Sequence, residues 1–155
     1  MLKKKKITEK LVIGRLDKID LPGLELFDIP CKIDTGAQTS AIHCHQVKII
    51  EKEGKEWITF MVLDPSHPEY NGMVFKTDDF QERKIKNSFG QSEFRFVIKT
   101  RIVLFGKSFI TEVTLADREN MRYPVLLGRK LLKRNFLVDV SKVDLSYQKK
   151  EKSNS

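Results

Sequence analysis

Residues 31–46 read CKIDTGAQTSAIHCHQ: an apolar strand pattern that runs into Asp34-Thr35-Gly36 and then into a cluster of Cys and His. An Asp at the end of a buried strand, followed by a small hydroxyl residue and a glycine, suits a carboxylate that must be held still beside backbone. Asp34 would serve as acid or base, Thr35 would anchor the loop by hydrogen bonding, and Gly36 would permit a tight turn. Taken alone, the tripeptide more often marks a turn closed by an Asx-type hydrogen bond than a catalytic carboxylate. Amide hydrolysis by carboxylates uses two of them sharing a proton, because like charges about 3 Å apart cannot both ionise. No other Asp of the chain is followed by Thr-Gly or Ser-Gly. A second carboxylate of this kind must then come from an identical subunit across a two-fold axis.

Around this stretch the pattern is mainly β. Short runs rich in Val, Ile, Leu and Phe are separated by Gly, Pro, Asn and Asp. The candidate strands are KLVIGRLDKIDL (broken near Gly14), LFDIPCKID, QVKIIEKE, EWITFMVLD, GMVFKT, FRFVIKTRIVLF, SFITEVTLA, PVLLG and FLVDVS. EKEGKEW and LFGKSF predict hairpin turns at Gly54 and Gly106, and DPSHPEYNG predicts a loop. One short helix is expected after Gly128, with Leu131, Leu132 and Phe136 on a shared face and Asn135 closing it. CKIDTGA and PVLLGRKLL echo each other: each is a strand that runs straight into a glycine and a turn or helix.

The composition bounds the rest. A chain of 155 residues, 40% hydrophobic and 32% charged, suits one compact domain. The formal charge is +8, but residues 1–10 supply +4 (five Lys, one Glu) and residues 146–155 supply +2 (three Lys, one Glu). The remaining +2 on the body argues against a folded groove for nucleic acid. No apolar run approaches the roughly 20 residues of a membrane span, and LVIG behind the basic start is too short for a signal-peptide core. The expectation is a cytoplasmic protein with reduced cysteines and no membrane partner. In outline, residues 1–10 read as a disordered basic segment, 11–146 as a single domain, and 147–155 as a disordered polar tail.

KIDTGAQTSAIH followed some 90 residues later by PVLLGRKLL resembles the retropepsin-like aspartic peptidases, whose subunits carry Asp-Thr-Gly-Ala early and an apolar pair with Gly-Arg late. The match is closer to a bacterial branch formerly labelled ATP-dependent zinc proteases. It spans two ordered blocks, IGRLDKIDLPGLELFDIPCKIDTGAQTSAIH and TRIVLFGKSFITEVTLADRENMRYPVLLGRKLLKRNFLVDVS. The resemblance implies an all-β fold, a closed retropepsin-like β-barrel with one short helix near its C-terminal end. It also implies a homodimer that brings Asp34 and its symmetry mate to the floor of a cleft. By similarity, Thr35 would grip the opposing loop, Gly36 and Ala37 would offer backbone to a peptide substrate, and Gly128 with Arg129 would support the site. The flap would be KIKNSFGQSEFRFVI, with Asn87, Ser88, Phe89 and Gly90 at a tip that touches substrate. Members of the branch are associated with ATP-grasp ligases that add glutamates to a ribosomal protein, so an acidic peptide tail is the implied substrate. The competing reading is a non-catalytic binding or regulatory module of the same fold. Two departures stand out. Viral relatives pair the late Arg with an Asp four residues after the catalytic one, where this chain has Gln38, so Arg129 needs another partner. Residues 47–82 have no counterpart in the compact viral enzymes.

Rival chemistry is weaker in the sequence. Cys31, His43, Cys44 and His45 could suggest a metal, but neighbouring strand residues point to opposite faces. His43 and His45 would share one side and Cys44 the other, and neither His-Glu-x-x-His nor paired Cys-x-x-Cys occurs. FGKS at 105–108 resembles the end of a phosphate loop, yet the required glycine five residues before Gly106 is Arg101. Cys44 with a neighbouring His lacks the rest of a triad. The expectation is therefore no metal and no cofactor.

Overall fold

The computed structural model describes residues 9–86, 90–117 and 122–154. Eleven strands are present among them: β1 (Leu11–Ile13), β2 (Leu16–Leu21), β3 (Leu26–Ile33), β4 (Ser40–Lys52), β5 (Lys55–Val62), β6 (Val74–Thr77), β7 (Gln81–Lys86), β8 (Ser92–Leu104), β9 (Lys107–Ala116), β10 (Val125–Leu127) and β11 (Phe136–Val138). Two helices follow late in the chain, α1 (Arg129–Asn135) and α2 (Leu145–Ser153). The fold is mostly β.

Hydrogen-bonded neighbours run β10-β3-β2-β8-β9-β4-β5-β6, and β10 also pairs with β4, so the first six strands of that path return on themselves. β7 adds to β8 as an antiparallel hairpin, and β1 pairs in parallel with β11 as a separate ribbon. Period-two alternation explains the packing: along β2, Asp17, Ile19 and Leu21 are buried and the intervening residues are not. The apolar core combines Ile19 and Leu21 with Ile29 and Ile33 of β3, Ile42 of β4, Ile98 and Ile102 of β8, Val113 and Leu115 of β9, and Val125 and Leu127 of β10. Each fully buried Ile or Leu contributes about 1.5–3 kcal/mol.

The hairpins at Gly54 and Gly106 form as expected. Glu53 and Gly54, and likewise Phe105 and Gly106, adopt the paired left-handed backbone that matches strand twist. The echo between the two glycine-ended strands also has a structural counterpart: β3 and β10 lie parallel, Cys31 beside Val125 and Ile33 beside Leu127.

Three expectations require correction. β4 begins at Ser40, six residues before QVKIIEKE. The candidate strands omit β7, where only Ile85 interrupts polar residues; its pairing with β8 supplies the order and makes Lys84–Lys86 one arm of the hairpin that the resemblance implies for the flap. The third concerns the C-terminal tail, which is helical rather than disordered, so there are two helices instead of one. The buried Asp17 explains it, because its carboxylate accepts hydrogen bonds from the backbone N–H of Ser146 (3.0 Å) and Tyr147 (3.1 Å) at the start of α2. Lys150 of α2 bridges Asp20 and Asp28, and the ammonium of Lys18 lies 4.2 Å from the Tyr147 ring centroid. Among the described residues, no helix is long and apolar enough to cross a membrane.

Candidate functional site

The Asp34 turn is built where β3 leaves the sheet beside the end of β10. The Asp34 N–H donates to the Leu127 carbonyl (2.9 Å), which fixes the root of the turn. The Asp34 carboxylate accepts the Gly36 N–H at 3.0 Å, and the Asp34 carbonyl accepts the Ala37 N–H at 3.2 Å. This is the Asx-type closure that the tripeptide alone allowed, but here it sits within a larger backbone lock. Arg129 and Lys130 donate their N–H groups to the Ala37 and Gln38 carbonyls (2.8 and 2.9 Å), and the Gly128 N–H donates to Ser40 Oγ (3.0 Å). Gly128 is required by this approach: a Cβ there would lie 2.9 Å from both the Ala37 oxygen and the Thr39 carbonyl carbon.

Arg129 finds its replacement partner in the turn itself, Nη1 donating to the Thr35 carbonyl at 3.0 Å. The late Gly-Arg thus clamps the Asp-Thr-Gly loop through backbone atoms, without the acidic partner that Gln38 replaces. Asp34 is half-buried, while Thr35 and Gly36 are exposed. The N–H groups of Gly36 and Ala37 are used within the turn, so the Ala37 N–H could reach a substrate only by leaving the Asp34 carbonyl, whereas the Ala37 carbonyl accepts from Arg129 and keeps a second lone pair. Two concavities lie elsewhere. One, of about 350 Å³, sits against α2 between Lys18, Phe105, Ser146 and Lys150, and the other is beside Ile110 and Lys130. Asp34 lines neither. Of the flap, β7 and the start of β8 form a hairpin with Lys86 opposite Ser92. Its tip residues Asn87, Ser88 and Phe89 lie outside the described residues; Gly90 is exposed with φ +79°.

The rival constellation resolves differently from either reading. Cys31 and Cys44 are buried in the core, and desolvation pushes both thiols upward, so neither is a nucleophile or thiolate ligand at neutral pH. His43 and His45 do share a side, and both reach the chain just beyond β5. His45 Nδ1 lies 2.5 Å from the Leu63 carbonyl, and its Nε2 is 3.4 Å from the Tyr70 hydroxyl. His43, 1% exposed, places Nε2 2.5 Å from Asp64 Oδ2. His67 Nε2 lies 3.8 Å from the same oxygen. Ser66 donates its hydroxyl and its N–H (2.7 Å for the latter) to Asp64 Oδ1. The Ser66 hydroxyl is the main reason that the Asp64 carboxyl is held down to about 2; burial opposes the shift, while the Ser66 N–H and His43 reinforce it. Sequence reasoning missed Asp64 and set His67 aside as a residue of the DPSHPEYNG loop. The available signal was Asp64-Pro-Ser-His67, an Asp leaving a strand with a His three residues on.

Residues 12–149 match the family model described as RimB-like, retropepsin-like aspartic endopeptidase RimB. A Parasynechococcus marenigrum protein named "Probable alpha-L-glutamate ligase" is 34% identical over 137 residues, covering 86% of this chain and 28% of its own length. A protein of the same name from Shewanella pealeana is 35% identical over 136 residues, 85% of this chain and 29% of its own. The chain thus spans less than a third of these curated relatives. A Legionella pneumophila crystal structure, titled as a protein of unknown function, superposes with a TM-score of 0.70 at 25% identity, covering 89% of this chain and 99% of the other. The family match takes in the Asp34 turn, the Gly128-Arg129 clamp and every strand from β2 to β11, and the chain belongs to the RimB-like family of retropepsin-like aspartic endopeptidases.

Proposed function

We propose that this chain is an aspartic peptidase acting as a homodimer, each copy contributing one Asp34 carboxylate to a shared centre. In this reading one Asp34 takes a proton from water as the water oxygen attacks the amide carbonyl carbon. The other, protonated, donates to the carbonyl oxygen; as the resulting diol collapses it takes a hydroxyl proton back, and the first Asp34 passes the proton it took from water to the leaving nitrogen. No cofactor enters such a step. The observation that carries the reading is the backbone lock on the Asp34 turn by Leu127, Gly128 and Arg129, which holds a half-exposed carboxylate in one place. Thr35 grips the partner loop, and the β7–β8 hairpin lies over bound peptide. We read the returning path of six strands as the closed barrel of this fold.

The substrate class is a peptide with an acidic tail. Lys32, Arg129 and Lys130 are exposed beside the turn, and the chain carries +8. The relatives' names point to the same chemistry, since a glutamate ligase makes or extends glutamate-bearing chains. Those names also favour a second reading, a non-catalytic module that docks such chains beside a ligase. Incubating the protein with a peptide ending in several glutamates and following products by mass spectrometry separates the two. The peptidase reading expects hydrolysis that Asp34→Asn abolishes while the circular dichroism and melting curve are kept. Binding of the peptide without hydrolysis would favour the docking module, and undiminished hydrolysis by Asp34→Asn would refute the role of Asp34.

A further inference from the structure

We propose that His43, Asp64 and His67 form a site for a divalent transition-metal ion of the zinc type, separate from the Asp34 turn. The two places lie at opposite ends of β10: Asp34 bonds Leu127 at its end, whereas the His43 N–H donates to the Pro124 carbonyl before its start. One ligand atom from each of the three residues lies within 4.8 Å of the others. All three are largely withdrawn from solvent, with side-chain exposures of 1% for His43, 12% for Asp64 and 15% for His67.

The donor arrangement favours a cation over a purely protonic network. Asp64 Oδ1 is occupied by Ser66, which leaves Oδ2 turned toward both imidazoles. His67 Nε2 is buried and has no hydrogen-bond partner among the described residues, and at 3.8 Å it is too far from Oδ2 to bond it. An ion between the three atoms would satisfy that nitrogen. The surroundings are of the kind that orients metal ligands: Ser66 fixes the carboxylate, and His43 turns its second nitrogen toward Asp117, 3.9 Å away. Bonds of about 2.0–2.2 Å in a tetrahedron place neighbouring ligand atoms about 3.3 Å apart. The present separations of 2.5 and 3.8 Å from Asp64 Oδ2 bracket that value, so each imidazole shifts by less than about 1 Å relative to the carboxylate, and the two imidazole ligand atoms already lie within 4.8 Å of each other. Metal uptake replaces the proton held between His43 and Asp64, and that proton leaves to solvent. Two imidazoles and one carboxylate suit Zn²⁺ better than Ca²⁺ or Mg²⁺. The bound ion would tie β4 to the start of the loop that leaves β5, within the segment 47–82 that compact viral enzymes lack.

The test uses the full chain freed of metal by chelator, titrated with Zn²⁺ by calorimetry and with Co²⁺ by visible absorption. One ion per chain is expected, with the absorption bands of four-coordinate Co²⁺. His67→Gln should weaken binding at least about tenfold, whereas His45→Gln, altering a neighbouring imidazole outside the cluster, should leave it unchanged. His67→Cys covers the event that the glutamine variant misfolds: it should keep the ion and add a thiolate-to-Co²⁺ charge-transfer band that the wild type lacks. Failure of the wild type to take up one ion, equal affinity in a folded His67→Gln, or a Co²⁺-loaded His67→Cys without the new band would overturn the proposal.

Discussion

Gly128 is where the two halves of the candidate site meet backbone to backbone. Replacing it with Ala drives a Cβ against the Ala37 oxygen and the Thr39 carbonyl carbon, neither of which is a flexible side-chain end. Overpacking of this kind typically costs about 1–3 kcal/mol. Gly128→Ala should therefore lower the urea midpoint with little change in slope, and an unaltered midpoint would show that the turn relaxes freely. Asp64 gives a pH prediction of opposite character. Its carboxyl falls from an ordinary 3.8 to about 2 in the folded chain, chiefly through the Ser66 hydroxyl. A depressed folded value means stability that is fully present above the unfolded value and lost as pH drops through the folded one. With chelator present, Asp64→Asn should be less stable than wild type near pH 6, and the gap should close between about pH 4 and pH 2. A gap independent of pH would place the effect in packing instead.

α2 illustrates how much an element can owe to residues far away in sequence. Its residues LSYQKKEKS carry little apolar signal, and its first turn is anchored by Asp17 about 130 positions earlier. Asp17→Ala should release the helix and open Lys149, Lys150 and Lys152 to trypsin under conditions where the wild type resists cutting. Equal cleavage rates would mean that the Lys150 bridge to Asp20 and Asp28 suffices. The same contrast explains what could be read in advance. β3, β10 and α1 were legible because apolar alternation, a glycine and a helical apolar face are local signals. The hairpins were legible from Gly54 and Gly106 for the same reason. α2 was not, and β7 only as the flap arm that the resemblance implies, since their order comes from Asp17 and from β8. The Asp34 turn and its Gly128-Arg129 clamp were legible as motifs, but the Thr35 carbonyl as the partner of Arg129 was not, because main-chain acceptors leave no mark in a sequence. The meeting of His43 with Asp64 and His67 was hidden as well. It depends on the β4–β5 register and on the left-handed backbone at Leu63 (φ +66°), whose N–H donates to the His43 carbonyl.

Taken as a whole, the protein presents the hydrogen-bonded Asp34 turn at its surface. Asp34 is only half-buried, and apolar Val12, Leu137 and Val140 on and after the β1–β11 ribbon are exposed at 45%, 56% and 71%. The proposed dimer would cover such surface and complete the carboxylate pair. Light scattering on the purified protein should then give twice the 18.0 kDa chain mass, persisting on dilution to working enzyme concentrations. The decisive quantity is the separation of the two Asp34 carboxylates in a crystal structure of the dimer. Hydrogen-bond reach, about 2.6–3.2 Å between oxygens, is predicted. A dimer that holds the carboxylates far apart, or a protein that remains monomeric, would contradict the account.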